Sequence, residues 1–179
     1  WQPSVHAGRV WNTSGTKKDE WIGGGLWTRL SVAQTTLAAD VLHSNELFGG
    51  VQFDDIWSLS AEMETKPSAA LAGGVYGAIG DRIARGHLVM GRQTNGTVWL
   101  DLRPLDRLIL ETSYDYARSE DRATDAVLFD GWIARTRVGL QVTRELSLRL
   151  VLQYDHFDRL WEADPLLTYR INPFSIFYV

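Results

Sequence analysis

Charged side chains recur at every second position along several stretches of this chain, and they are its clearest candidates for chemistry. Glu62 and Glu64 fall on one face of an extended segment, about 7 Å apart by strand rise, which suits a shared cation or a pair of carboxylates in acid–base work. Asp101, Glu111 and Asp115 continue the acidic set, and Arg135, Arg137, Arg149 and Arg170 supply the opposite sign. Read functionally, opposed charges across a water-filled interior set a transverse field that selects small polar or charged solutes. Read structurally, the same residues are ion pairs that hydrate or plug that interior. Trp27 and Trp99 share the polar parity, where an indole stacks on a sugar ring or fills space.

Other chemistry is thinly represented. His6, His43, His87 and His156 are scattered with no His-x-x-x-His pairing, and they read as ordinary polar residues rather than metal ligands or acid–base groups. Asp54-Asp55 lacks the spaced ligands of a Ca²⁺ loop and reads as a turn. Gly23-Gly24-Gly25 and Gly73-Gly74 lie within strand-like runs, so bends or close packing against aromatics explain them better than phosphate binding. There is no Gly-x-Ser-x-Gly elbow, and the absence of cysteine removes disulfides, thiolate zinc sites and thiol catalysis. The expectation is a chain with no catalytic residue, no metal, no cofactor and no enzymatic activity. A net charge of −4 leaves no phosphate-binding footprint, so nucleic acid is not an expected partner.

The elements that position these residues are strands. In Trp57–Glu64 the odd positions are apolar and the even ones polar; from Leu146 to Tyr154 every even residue is Leu or Tyr. Side chains of a strand alternate between faces, so this period of two marks half-apolar strands. About eleven such segments are expected, at 3–13, 20–31, 35–43, 51–65, 69–79, 83–93, 96–102, 108–118, 126–142, 146–157 and 165–179. Breaks fall at Lys66-Pro67-Ser68, Thr94-Asn95-Gly96, Arg103-Pro104-Leu105-Asp106 and Asp164-Pro165. Longer polar connections are expected at Asn12 to Asp19 and Arg118 to Asp125. No domain boundary interrupts residues 1–179, so one all-β domain is expected.

Two hairpins suggest their own register. Pairing Leu102 with Leu108 puts Leu100 opposite Leu110, Val98 opposite Thr112 and Trp99 opposite Glu111. Pairing Val142 with Leu146 puts Leu140 opposite Leu148 and Val138 opposite Leu150. A slip of one residue would turn charges among the leucines.

Alternation fits two architectures. A soluble barrel or sandwich turns its apolar face inward and binds a sugar or apolar ligand there; a membrane barrel turns that face to lipid and the polar one to a lumen. Mid-strand charges, tight turns alternating with longer loops, and aromatics near strand ends (Trp11, Trp21, Tyr116, Trp132, Tyr154, Trp161) favour the membrane form. The fold class expected is an all-β, antiparallel, up-and-down transmembrane β-barrel.

The run Thr143-Arg144-Glu145-Leu146-Ser147-Leu148-Arg149-Leu150-Val151-Leu152-Gln153-Tyr154, followed by Asp164-Pro165-Leu166-Leu167-Thr168-Tyr169-Arg170-Ile171-Asn172-Pro173-Phe174-Ser175-Ile176-Phe177-Tyr178-Val179, is a more specific signal. It resembles the C-terminal β-barrel region, a domain of unknown function, of bacterial envelope proteins that carry an N-terminal family-9-type carbohydrate-binding domain. The likeness covers roughly the last forty residues. It implies a barrel in the bacterial outer membrane, with the lipid bilayer as partner and a carbohydrate-binding domain or another envelope protein as a further one. It implies a pore, a transport scaffold or an envelope anchor. In that family a Gly and at least one more strand follow the Asn-Pro motif. Their absence here, with that of the carbohydrate-binding domain, points to a segment of a larger barrel.

Overall fold

The computed structural model describes residues 1–172 and 175–178; Pro173, Phe174 and Val179, part of the C-terminal motif, lie outside the described residues. Its strands are β1 (Gln2–Trp11), β2 (Lys17–Leu30), β3 (Thr35–Phe48), β4 (Val51–Ser68), β5 (Leu71–Ala84), β6 (Val89–Leu105), β7 (Leu108–Asp121), β8 (Val127–Gln141), β9 (Leu146–Asp155), β10 (Leu160–Asn172) and β11 (Ser175–Tyr178). They form one 11-stranded antiparallel sheet in chain order, β1 to β11. The expected all-β up-and-down order is therefore present. The sheet is open: among the described residues β1 and β11 each have one neighbour, and no pairing joins them.

Sequence turn chemistry fixes the connections. Asn12 Oδ1 accepts hydrogen bonds from the backbone N–H groups of Ser14 (3.1 Å) and Thr16 (2.8 Å). Asp121 Oδ1 does the same for Ala123 and Thr124, and the Thr143 hydroxyl oxygen for Glu145 and Leu146. Such local acceptors make a tight reversal cheap. Gly49 (φ 60°) and Gly50 (φ 83°) form the whole β3–β4 turn in a conformation that other residues resist.

Several expectations need correction. Thr94-Asn95-Gly96 is not a break but the middle of β6, paired with β5 on one side and β7 on the other. The expected strands 83–93 and 96–102 are thus largely one, and the count stays at eleven only because the last expected strand divides into β10 and β11. Asp164-Pro165 lies inside β10, and Pro67 inside β4 at a register shift. The Leu102–Leu108 hairpin closes two residues later, on Asp106-Arg107. Leu105 faces Leu108, Leu102 faces Leu110, and Trp99 faces Ser113 rather than Glu111. The shift of two preserves which face each residue occupies. The β8–β9 hairpin has the expected register, Leu140 with Leu148 and Val138 with Leu150. Asp54-Asp55 is an irregularity within β4 where its pairing to β3 shifts, with Asp55 at φ 56°, not a turn between strands. The expected long connections shrink to 12–16 and 122–126 because the flanking strands run on, so the anticipated contrast between short and long loops is slight.

The two faces differ in kind. Following partners across the ladder, one face collects Val5, Ile22, Leu26, Val41, Leu59, Met63, Val75, Val98, Leu110, Val138, Leu150 and Leu167. Among the described residues no second layer covers it: Val5, Ile22, Val41, Leu59, Val75, Val98, Leu148 and Leu152 are all more than a third exposed. The buried apolar core among the described residues is Phe53, Ile56 and Ile83, with Phe48 and Met90 against them. The accessible surface is 12197 Å², whereas a compact soluble monomer of 20.2 kDa exposes about 8,800 Å².

Candidate functional site

The register assigns each candidate charge to the face opposite the apolar one. Glu62 lies in line with Tyr76, Thr97 and Asp115 across β4 to β7. Glu64 lies in line with Gly74, Trp99, Ser113 and Arg135, and Asp101 with Glu111 and Arg137. Arg137 faces Val151, which shares its parity with Arg149; Val151 faces Asp164, which shares its parity with Arg170. Glu62, Glu64, Asp101, Glu111, Asp115, Arg135, Arg137, Arg149 and Arg170 therefore occupy one face.

Their contacts are selective. Arg137 reaches Glu111 at 2.9 Å, and Arg149 reaches Asp164 at 3.2 Å. Thr97 donates its hydroxyl to Asp115 at 2.7 Å. These ion pairs are solvent-accessible, so each contributes at most about 1 kcal/mol. Among the described residues, Glu62, Glu64, Asp101 and Arg135 form no ion pair. The acidic candidates come from β4 to β7 and the arginine candidates from β8 to β10, although Arg29 on β2 and Asp164 on β10 share the face with the opposite distribution. Among the described residues no group of three or more His, Asp or Glu could hold a metal ion.

Aromatic rings interrupt this polar face. Trp99 lies over Gly74, where an added Cβ would sit 2.6 Å from its Nε1. Trp27 shares a cross-strand row with Ala38, Glu62 and Tyr76. Trp21, expected among the strand-end aromatics of the apolar side, instead faces Gly8 and Ser44 on the polar side, its ring over Gly8. Tyr76 was not singled out from sequence, since Val75-Tyr76-Gly77 shows no alternation; only its row partners reveal its face.

The apolar face carries a different pattern. Across β1 to β10 its central rows hold no Asp, Glu, Lys or Arg. Charges appear only toward the 12–16 and 122–126 end: Arg9 with Glu20 at 3.1 Å, and Arg118 with Asp130 at 3.3 Å. Just inside them runs a row of rings, Tyr114 to Trp132 (5.4 Å between centroids), Trp132 to Tyr154 (5.0 Å) and Tyr154 to Trp161 (4.9 Å). On β3 and β4, His43 stands against Trp57 at 4.5 Å. Hydroxyls on this face bond to each other: Thr35 to Thr65 and Thr112 to Thr136, both at 3.0 Å.

No family model, curated protein or solved structure matches this chain.

Proposed function

We propose that this sheet is part of an outer-membrane β-barrel, its uncharged face against lipid and its charged face toward a watered interior. The barrel acts as a pore, a transport scaffold or an anchor for an envelope partner. The observation that carries this reading is the apolar face itself: exposed across ten strands, free of charge in its central rows and covered by no other described residues. In water that surface would demand a second layer; in a bilayer lipid is the second layer. The row Tyr114–Trp132–Tyr154–Trp161 has the place of an interfacial girdle, and the charges beyond it lie where headgroups begin. β9, at 10 residues, matches the roughly 9–11 that cross a bilayer when tilted. The sequence likeness of 143–154 and 164–179 to an envelope barrel region points the same way. It also supports the larger barrel of which this sheet would be one segment.

The test is refolding of the chain into detergent and into vesicles of brominated lipid. The expected results are heat-modifiable migration on a denaturing gel and quenching of Trp57, Trp132 and Trp161 by the bromines. A monodisperse, detergent-free soluble protein would overturn the proposal.

A further inference from the structure

Among the described residues, four hollows of the polar face are bordered by three aromatic residues, Trp27, Tyr76 and Trp99. Trp27 and Tyr76 border a hollow of about 270 Å³ that also contains Asp40, Ser60 and Glu62. Tyr76 borders another of about 410 Å³ with Ser58, Gln93 and Asn95. Trp99 stands between the remaining two. One, about 740 Å³, holds Arg29, Gln34, Thr36 and Glu64; the other, about 380 Å³, holds Asp101, Glu111, Ser113 and Arg135.

The three rings form a diagonal line. Trp27 and Tyr76 occupy one row, three strand spacings apart, which is about 14 Å. Trp99 is one strand and one row further, paired to Gly74 beside Tyr76, a step of about 8 Å by the same spacings. Ala38 beside Trp27 and Gly74 under Trp99 keep the floor low, and Glu62, between Ala38 and Tyr76 in the row, stands on it as a polar contact.

We infer that this line is a track for a linear neutral oligosaccharide, which deepens the proposed function and rests on the polar face being the wetted one. Tyr76 and Trp99 each offer a flat apolar surface to the C–H face of a sugar, and Trp27, more than a third exposed, shares its ring with the Arg29 guanidinium 5.4 Å from its centroid. Carboxylates, amides and hydroxyls beside the rings accept from and donate to the sugar hydroxyls, and Arg29 and Arg135 donate. Both charge signs lie along the line, Asp40 and Glu62 with Arg29 near Trp27, and Asp101 and Glu111 with Arg135 near Trp99, which favours an uncharged polyol over a glycan of either sign. The spacing favours a chain over a single ring, since no one sugar touches more than one aromatic.

The experiment titrates the detergent-refolded chain separately with maltohexaose, cellohexaose and xylohexaose, read by tryptophan fluorescence and calorimetry. At least one hexasaccharide should saturate at millimolar concentration or below, and its monosaccharide should bind at least about tenfold more weakly. Trp27→Ala and Trp99→Ala should each weaken binding about tenfold, whereas Trp161→Ala on the apolar face should leave it unchanged. Because Trp99 packs on Gly74, Trp99→Phe and Glu62→Gln guard against misfolding: the first should retain binding within a few-fold, the second should weaken it. Absence of saturation with all three sugars, or equal binding by wild type and both tryptophan variants, overturns the inference. Quenching by brominated lipid, measured on the same protein preparations refolded into vesicles, separates the two ideas. If quenching persists without sugar binding, only the track fails; if quenching is lost, the assignment of the faces fails.

Discussion

The hydroxyls of Thr112 on β7 and Thr136 on β8 lie 3.0 Å apart in the middle of a mainly apolar face. Thr112 is also within 3.2 Å of the Arg135 carbonyl oxygen. Both hydroxyls thus find partners inside the sheet, which is what the proposed lipid contact of this face would require of them. Replacing one by Val strands the other. Thr112→Val or Thr136→Val should each cost about 1 kcal/mol of stability in lipid, and the double variant should cost less than the sum of the two. Urea unfolding of the four proteins in vesicles measures the coupling.

Charge should be tolerated on one face and not on the other. Leu150 sits mid-strand on the apolar face, paired with Val138 and Pro165, while Gln153 points to the polar face opposite Arg135. Leu150→Arg is expected to destabilise the vesicle-inserted protein by about 2–4 kcal/mol. Gln153→Arg should change stability by less than about 1 kcal/mol. Equal costs at the two positions, read from unfolding midpoints, would show the faces to be equivalent.

Glycine positions offer a test of packing. A Cβ at Gly74 would lie 2.6 Å from the Trp99 ring and 2.9 Å from the Met63 carbonyl oxygen, while one at Gly77 meets nothing within 4 Å. Gly74→Ala should destabilise by about 1–3 kcal/mol and shift tryptophan emission as Trp99 moves. Gly77→Ala should be neutral or slightly stabilising.

The exposed pair Arg137–Glu111 should behave as a surface ion pair. Arg137→Ala should lower stability by no more than about 1 kcal/mol, an effect that fades as salt is raised. In a conducting barrel the same change should shift ion selectivity toward cations, because it leaves Glu111 unopposed. Reversal potentials in a planar bilayer measure that shift.

The faces were legible in the sequence because parity survives errors of register. The Leu102–Leu108 pairing was off by two residues, yet every side chain fell on the expected side. Turns were less legible. Asn95-Gly96 has the composition of a hairpin turn, but β5 and β7 pair with it from both sides, and that ladder outweighs the local preference. Proline misled for a related reason. Pro67 and Pro104 sit at register shifts, and among the described residues Pro3 lies on a strand paired on one side only and Pro165 pairs only with β9. Each occupies one of the places where a strand accepts a residue lacking N–H. The aromatic line was half visible: Trp27 and Trp99 lie in alternating runs, but Tyr76 acquires its place only from partners on other strands.

The open sheet also restricts how it could be closed. Neighbours alternate in direction, so β1 and β11 point the same way. Joining them directly would create a parallel seam. A second copy inserted with the same orientation would meet β11 with its own β1 and create the same seam twice. An all-antiparallel wall built on this sheet therefore needs an odd number of further strands between the two edges, and like-oriented copies of the sheet alone never supply it.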